Sequence, residues 1–221
     1  MFDQRVSCGW RSREVRDWAK KSIEGTWCLY WLVMPSTQTS SSFLVQQHIA
    51  RFPQELSPIH DTSSSTFSRP RHPSGQPFHP IGHIALSFPQ LSELETLGLP
   101  TEEKTAYVSK LYVSWAVQSS GFGGTAVRAT EALARNELEV QTVYLDAVEE
   151  ETQMAGGWAT KFYNVLGIPQ PKMSNEQWYR KMGYEEFLRV EKGYFMEYPA
   201  DEEGKVAKEW VPAVYFKKRL P

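Results

Sequence analysis

Three glycines stand close together in Gln118-Ser119-Ser120-Gly121-Phe122-Gly123-Gly124-Thr125. A glycine turn that opens a helix can aim several unpaired backbone N–H groups at one anion, because glycine lets the backbone approach and the helix dipole favours negative charge. A phosphate is the natural guest. The nucleotide P-loop is excluded, since Gly124 is followed by Thr125-Ala126 and not by Lys and Ser or Thr. Gly121-x-Gly123-x-x-Ala126 also fits a dinucleotide fingerprint, with Asp146 about twenty residues further on. In that fold, however, the glycines leave the strand directly. Here Ser114 to Ser120 intervene, and too little chain follows Asp146 to complete the remaining parallel strands.

The elements that must hold this turn are legible around it. Val108 to Val113 alternates as a half-buried strand, and Ala126, Val127, Thr130, Leu133 and Ala134 recur at helical spacing up to a stop at Asn136. Thr142 to Val148 predicts a second apolar strand, parallel to the first because a helix crosses between them. Ser174-Asn-Glu-Gln177 fits a capping box, so a helix starts near Asn175, carries Trp178, Tyr179 and Met182, and closes at Gly183. Phe187 to Tyr198 and Trp210 to Lys218 read as two antiparallel strands around the acidic turn Asp201 to Gly204.

A third template for the glycine turn is Q/R-x-x-G-x-G/A placed shortly after a strand that ends in Val. Gln118 to Gly123, following Leu111-Tyr112-Val113, meets it. Downstream, Trp178-Tyr179-Arg180-Lys181-Met182-Gly183-Tyr184 matches a Tyr-x-x-x-Gly-aromatic signature. Together, over roughly Gly25 to Phe187, these motifs make the chain resemble the GNAT superfamily of N-acyltransferases. The resemblance implies an α/β (α+β) fold: a mixed, mostly antiparallel sheet of six or seven strands, helices on both faces, and a splayed central parallel pair. It implies acetyl-CoA as cosubstrate, with the pyrophosphate on Gln118, Ser119, Ser120, Gly121, Phe122, Gly123, Gly124 and Thr125. Backbone groups of Leu111, Tyr112 and Val113 would meet the pantetheine arm and polarise the thioester carbonyl, and Tyr179 would be the general acid. Family members often carry an Asn about seven residues before this Tyr; Lys172 stands there, and Asn175 is the nearby substitute. The acceptor would be an amine, on a small molecule or a protein. The general base stays open among Glu149, His83, Tyr112 and water, and a non-catalytic module that only holds acetyl-CoA is the alternative.

The rest of the chain limits this picture. With 221 residues it is best treated as one domain, able to bury about 70 per cent of its unfolded surface. A net charge of -2 without basic runs argues against nucleic acid or a membrane surface as partner. Two cysteines, Cys8 and Cys28, make neither a disulfide framework nor a metal spacing, and no signal-peptide core opens the chain; a cytoplasmic or nuclear home is the expectation. Ser12 to Ser22 predicts an amphipathic helix, Thr26 to Val33 a central strand, and Gly82 to Phe88 another strand, with Trp10, Trp27 and Trp31 in the core. Phe2 to Ser7 is either a shortened first strand or none. Residues 35–80 are rich in Ser, Thr, Gln, His and Pro and predict a long, partly mobile insertion with a helical turn or two at Phe43 to Phe52. His48, His60, His72 and His79 lie in it without zinc spacing. Leu91 to Leu99 reads as a connector. Glu149 to Glu151 and the run with Trp158, Phe162, Tyr163 and Leu166 read as an acidic loop or an inserted lid beside the acceptor.

Overall fold

The computed structural model describes residues 2–8, 14–34, 39–198, 200 and 203–221, and the side chains of these except residues 2, 7 and 39–41. Trp10 and the tip of the turn at 201–202 lie outside them. In order, the elements are α1 (Phe2–Cys8), α2 (Val15–Ile23), β1 (Trp27–Val33), α3 (Thr39–Arg51), the short bridges β2 (Ile59–His60), β3 (Ser65–Thr66), β4 (Arg69–Pro70) and β5 (Pro77–Phe78), and then β6 (Pro80–Ser87). There follow α4 (Leu91–Leu97), β7 (Thr105–Val113), α5 (Phe122–Asn136), β8 (Thr142–Val148), α6 (Glu150–Met154), α7 (Gly156–Trp158), a π-turn at Ala159–Asn164, α8 (Asn175–Lys181), β9 (Glu185–Glu197) and β10 (Lys208–Arg219).

Six strands form the main sheet in the order β1-β6-β7-β8-β10-β9. All neighbours are antiparallel except β7 and β8, which are parallel because α5 carries the chain back across the sheet. That parallel ladder has only three rungs, Thr105↔Thr142, Ala106↔Val143 and Tyr107↔Tyr144. Beyond Tyr107 the two strands part, and the backbone of β7 facing the gap has no strand to pair with. The predicted splay is therefore present.

Alternation along the strands feeds two cores. On one face Val108, Val143, Leu145 and Phe216 pack under Val127 and Ala134 of α5, with Trp178 and Tyr179 of α8 against the same cluster. The other face is covered in patches: Trp18 of α2 on Trp27 and Ala85, Leu94 of α4 on Tyr144, and Trp158 and Phe162 on Tyr194, Val211 and Ala213. Each fully buried aliphatic side chain contributes about 1.5 to 3 kcal/mol over exposure, so helices on both faces are the physical consequence of strands apolar on both faces.

Four expectations need correction. β1 is an edge strand and not a central one, because Phe2–Cys8 is helical and leaves nothing to pair on its far side among the described residues. Trp27 is in the core, but Trp31 is half-buried, its ring edge-on to His83 at 6.0 Å. The helix around Phe43 to Phe52 runs for 13 residues, and the segment after it is tied into two small ladders, β2 with β5 and β3 with β4. There Asp61 accepts from both Arg71 guanidinium nitrogens, at 2.6 and 2.9 Å, and from the Ser74 N–H at 2.8 Å. Leu91 to Leu97 is a helix ended by Gly98 in the left-handed conformation, where the sequence reads as a connector.

Candidate active site

A cavity of about 580 Å³ lies where β7 and β8 diverge, and it is lined from both faces of the sheet. On the α5 side stand Gly121, Phe122, Gly123, Gly124, Trp178 and Tyr179; on the other stand Tyr107, Asp146, Trp158, Phe162 and Tyr194. The gap between strands thus joins a glycine-lined mouth to an aromatic one.

The glycine mouth is built by local sequence. β7 ends at Val113, Ser114 turns back to donate its N–H to Ile81 O at 2.8 Å, and the Gln118 side-chain amide donates to Val113 O at 3.2 Å, closing the turn on the strand end. Ser119 at φ +65° and Gly121 at φ +83° reverse the chain into α5. The first intrahelical N–H is that of Thr125, which donates to Gly121 O at 3.1 Å; those of Phe122, Gly123 and Gly124 precede it and have no partner within the helix. A Cβ on Gly123 would sit 3.5 Å from the Trp178 ring and one on Gly124 3.3 Å from Arg128 Nη1. A guanidinium one turn inside the helix therefore stands beside the glycine turn. The sequence reading missed it, although a cation at that offset from the last glycine was the available signal.

Of the predicted site residues, Leu111, Tyr112, Val113, Gln118, Ser119, Gly121, Phe122, Gly123, Gly124, Asn175 and Tyr179 line the cavity. Ser120 and Thr125 do not. Thr125 is already inside the helix, with its hydroxyl donating to Gly121 O at 3.2 Å, and Ser120 is exposed at the turn tip. Burial pushes the Tyr112 phenol up, and its hydroxyl meets no hydrogen-bond partner among the described residues.

Opposite Ala85 and His83 the register slips, with three steps on β7 against two on β6, and Lys110 at φ +56° is the bulged residue. A bulge leaves a backbone group out of the ladder and re-aims its neighbours. This one lies in the strand that borders the gap.

Tyr179 is brought to the cavity by α8. Ser174 caps that helix, its hydroxyl oxygen accepting from the Gln177 N–H at 3.0 Å. The Gln177 side chain does not complete the reciprocal box and reaches Glu150 instead. Gln153, buried at 4 % exposure, accepts from the Asn175 N–H at 2.8 Å and donates to the Tyr163 hydroxyl at 3.1 Å, tying α8 to the aromatic wall. Burial, and then the charge of Asp146, push the Tyr179 phenol well above its ordinary value.

The three open candidates for a base fare differently. Glu149 is held by Arg189 at 2.5 Å. His83 is fully buried, and burial followed by the positive charge of Arg5 lowers its pKa to about 2. The structure brings neither of them to the cavity lining, which Tyr112 reaches only as part of the strand. The residue that sequence reading weighed only for the rejected dinucleotide fingerprint is Asp146, whose carboxylate accepts from the Tyr107 and Tyr194 hydroxyls. Its place in the strand Thr142 to Val148 could have found it, had the splay been traced one residue pair further. Among the described residues no cluster of His, Cys, Asp or Glu is arranged to hold a metal ion, and no helix is long and apolar enough to cross a membrane.

Comparison with known proteins adds a family. A search of curated sequences gives no match. Among solved structures the chain is similar to an N-acetyltransferase from Staphylococcus aureus Mu50, at 9% identity and a TM-score of 0.39, covering 68% of this chain and 65% of that one, less than two thirds of its length. It is also similar to Arabidopsis thaliana NAA60 in complex with a bisubstrate analogue, at 13% identity and a TM-score of 0.44, covering 89% of this chain and 100% of that one. A GNAT family acetyltransferase from Elizabethkingia anophelis with acetyl-CoA bound is similar at 11% identity and a TM-score of 0.38, covering 88% and 99%. The sequence profile of the Acetyltransferase (GNAT) family matches residues 29–168. That span runs from β1 through the splayed pair and the glycine turn, well over half of the chain, and the protein is a member of the GNAT acetyltransferase family.

Proposed function

We propose that the protein is an acetyl-CoA-dependent N-acetyltransferase, moving the acetyl group to an amine by direct attack. The observation that carries this reading is a cavity whose lining runs from the glycine turn to the aromatic residues beside the gap between β7 and β8. The residues fit the cosubstrate. The free first-turn N–H groups of α5, with no Cβ at Gly121, Gly123 or Gly124 and with Arg128 alongside, suit a pyrophosphate. The edge of β7 beyond Tyr107, where the ladder to β8 has ended, suits an amide-rich arm, which needs donors and acceptors in strand spacing.

When bound, acetyl-CoA supplies an acetyl group activated as a thioester. The chain's own residues do the rest. The backbone of β7 around the Lys110 bulge and Val113 offers N–H groups that polarise a carbonyl, and donors fixed in advance are worth more than donors that must reorient. Tyr179 keeps its proton through the neutral range and gives it to the departing sulfur. The balance is simple: an acceptor ammonium loses two protons in forming the amide, one ending on the thiol and one in solvent. Asn175, at the start of α8, borders the path of the arm.

The test is thiol release from acetyl-CoA across a panel of amines. Amine-dependent release well above background is the expected result. Binding of acetyl-CoA with no release for any amine would make the protein a non-catalytic module of the same fold.

A further inference from the structure

The aromatic mouth of the cavity is a built site, and the glycine turn does not account for it. Asp146 is the second residue of β8 beyond the last rung shared with β7, so the gap opens directly at its side chain. Two phenols converge on it from different elements. Tyr107 comes from the last paired residue of β7, stacked on Tyr144 with ring centroids 4.8 Å apart. Tyr194 comes from β9, two strands away from β8, and reaches Asp146 across β10.

That reach requires a distortion, and one is present. The β9–β10 register jumps from Val211↔Tyr194 to Ala213↔Val190, two steps on β10 against four on β9, with Gly193 lying so close over Ala213 that a Cβ there would fall 2.1 Å from the Ala213 methyl. Pro212 sits in the irregularity and has no N–H to lose. Bulges re-aim side chains, and this one turns Tyr194 inward over a small residue.

The carboxylate so held is not used up. It has about four lone-pair positions, and each phenol takes one, Tyr107 on Oδ1 and Tyr194 on Oδ2. Burial first, then the Asp146 charge, keep the Tyr194 phenol far above its ordinary value, so it remains a donor. Trp115, Trp158, Phe162 and Tyr163 line the same cavity, and Trp158, Phe162 and Tyr163 share an apolar cluster with Tyr194. Trp158 and Phe162 pack with centroids 5.5 Å apart, and Phe162 meets Tyr163 edge-on at 5.3 Å. A negative charge among aromatic faces selects a cation with an apolar body, since the carboxylate pairs with the charge while the rings cover the stem and attract the cation through their faces.

We propose that Asp146, presented by Tyr107 and Tyr194, is the seat of the acceptor: it binds the ammonium of a primary amine carried on an apolar stem the size of an aromatic ring. This rests on the acetyl-transfer reading and names its acceptor class. It also gives the first proton a destination. The ammonium passes one proton to the Asp146 carboxylate, which returns it to solvent; the nitrogen lone pair forms the C–N bond as the C–S bond breaks, the sulfur takes a proton from Tyr179, and the second proton leaves the new amide nitrogen through solvent and restores the Tyr179 phenol.

Phenethylamine and its uncharged analogue 2-phenylethanol test the seat by calorimetry on the whole protein, alone and with CoA in place of acetyl-CoA. The amine should bind at least tenfold tighter than the alcohol to the wild type, and Asp146→Asn should close that gap while acetyl-CoA affinity stays within about threefold. Tyr194→Phe should lose part of the preference. Equal binding of amine and alcohol to the wild type would overturn the proposal, as would an Asp146→Asn variant that keeps the preference. Spermidine binding tenfold tighter than phenethylamine would overturn the apolar-stem assignment. Because binding is read without turnover, a protein that seats the amine yet releases no thiol would sink the acetyl-transfer reading and leave the seat standing.

Discussion

Single residues carry the sharpest consequences. Tyr179 has its proton held by burial and by Asp146, and deleting its hydroxyl alone separates chemistry from packing. Tyr179→Phe should lower kcat roughly 10² to 10⁴-fold with little change in acetyl-CoA affinity; a variant within about threefold of wild type would leave solvent as the proton source. The same upward shift means that Tyr179 should contribute no alkaline limb to the rate below about pH 10, its ordinary pKa, and a limb that vanishes in the Phe variant at lower pH would contradict the buried environment. At the glycine turn the structure separates two positions that the sequence treats alike. Gly121 has φ +83° with open space around it, whereas Gly123 has an ordinary φ and faces Trp178 at contact distance. Gly121→Val is therefore strained by backbone alone, at a cost of about 1 to 3 kcal/mol, and should weaken acetyl-CoA binding tenfold or more by tilting the first turn of α5. Gly123→Ala should be tolerated by the fold and act only through the space it takes from a ligand. Calorimetry on both variants decides; unchanged affinity in a folded Gly121→Val protein would remove the turn from the binding site.

At the scale of elements, α8 shows how a short helix is held in register with the site. Glu176 is buried, its side chain 7% exposed, and accepts from the Glu150 N–H, Arg180 and Arg189. Burial alone would raise its pKa, but the backbone N–H and the two guanidinium groups outweigh it, and the net shift is downward. A carboxylate lowered in this way adds stability that is complete above its unfolded value, near 4.3, and is lost as pH falls through the lower folded one. Glu176→Ala should cost about 1 to 3 kcal/mol by stranding the Glu150 N–H and taking one partner from each of Arg180 and Arg189, which keep Glu186 and Glu149, and should flatten the acid-side fall in stability below pH ~4.3. An unchanged acid transition would mean that α8 is held by Trp178 and Tyr179 packing alone. Elements with local punctuation were the legible ones: the Ser174 cap, the strand Thr142–Val148 and the helix behind the glycines all stand within a few residues of their sequence-based limits. Those stabilised from a distance were not. α3 has a polar composition, and what holds it is His48, fully buried between Ser114 Oγ at 2.8 Å and Glu55 at 3.1 Å. The convergence of Tyr107 and Tyr194 on Asp146 was illegible for the same reason, since it takes one residue from each of three strands and a bulge on the outermost.

For the molecule as a whole, the N-terminal helix takes the place of a strand. β1 closes the sheet at one edge, and α1 packs beside the β6 end of that edge through buried polar side chains instead of a ladder. Gln4, 1% exposed, donates to Glu55 at 2.8 Å and to Pro80 O at 2.7 Å. His83 Nδ1 stands 3.0 Å from Gln4 Oε1 and Nε2 stands 3.4 Å from Arg5 Nη1, so a neutral ring with its proton on Nδ1 satisfies both contacts. Arg5 and Cys8 also reach the cavity lining, which couples the seating of α1 to the site. This arrangement makes His83 a gauge of whether the helix is docked. Its folded pKa of about 2 lies far below the unfolded value near 6.5. Between those limits the unfolded chain binds a proton that the native state refuses, so stability falls as pH drops below about 6.5, by up to about 1.4 kcal/mol per pH unit from this group. The carboxylates with lowered values act only below about pH 4.5, which leaves the window from 6 to 5 to the histidine. Urea unfolding across that window should show a steeper loss for wild type than for His83→Gln by close to one proton, and deletion of residues 1–8, which uncovers the ring, should flatten the slope in the same way. Equal slopes in wild type, point variant and truncation would mean that the ring protonates freely in the native state, and that α1 does not seal this edge of the sheet.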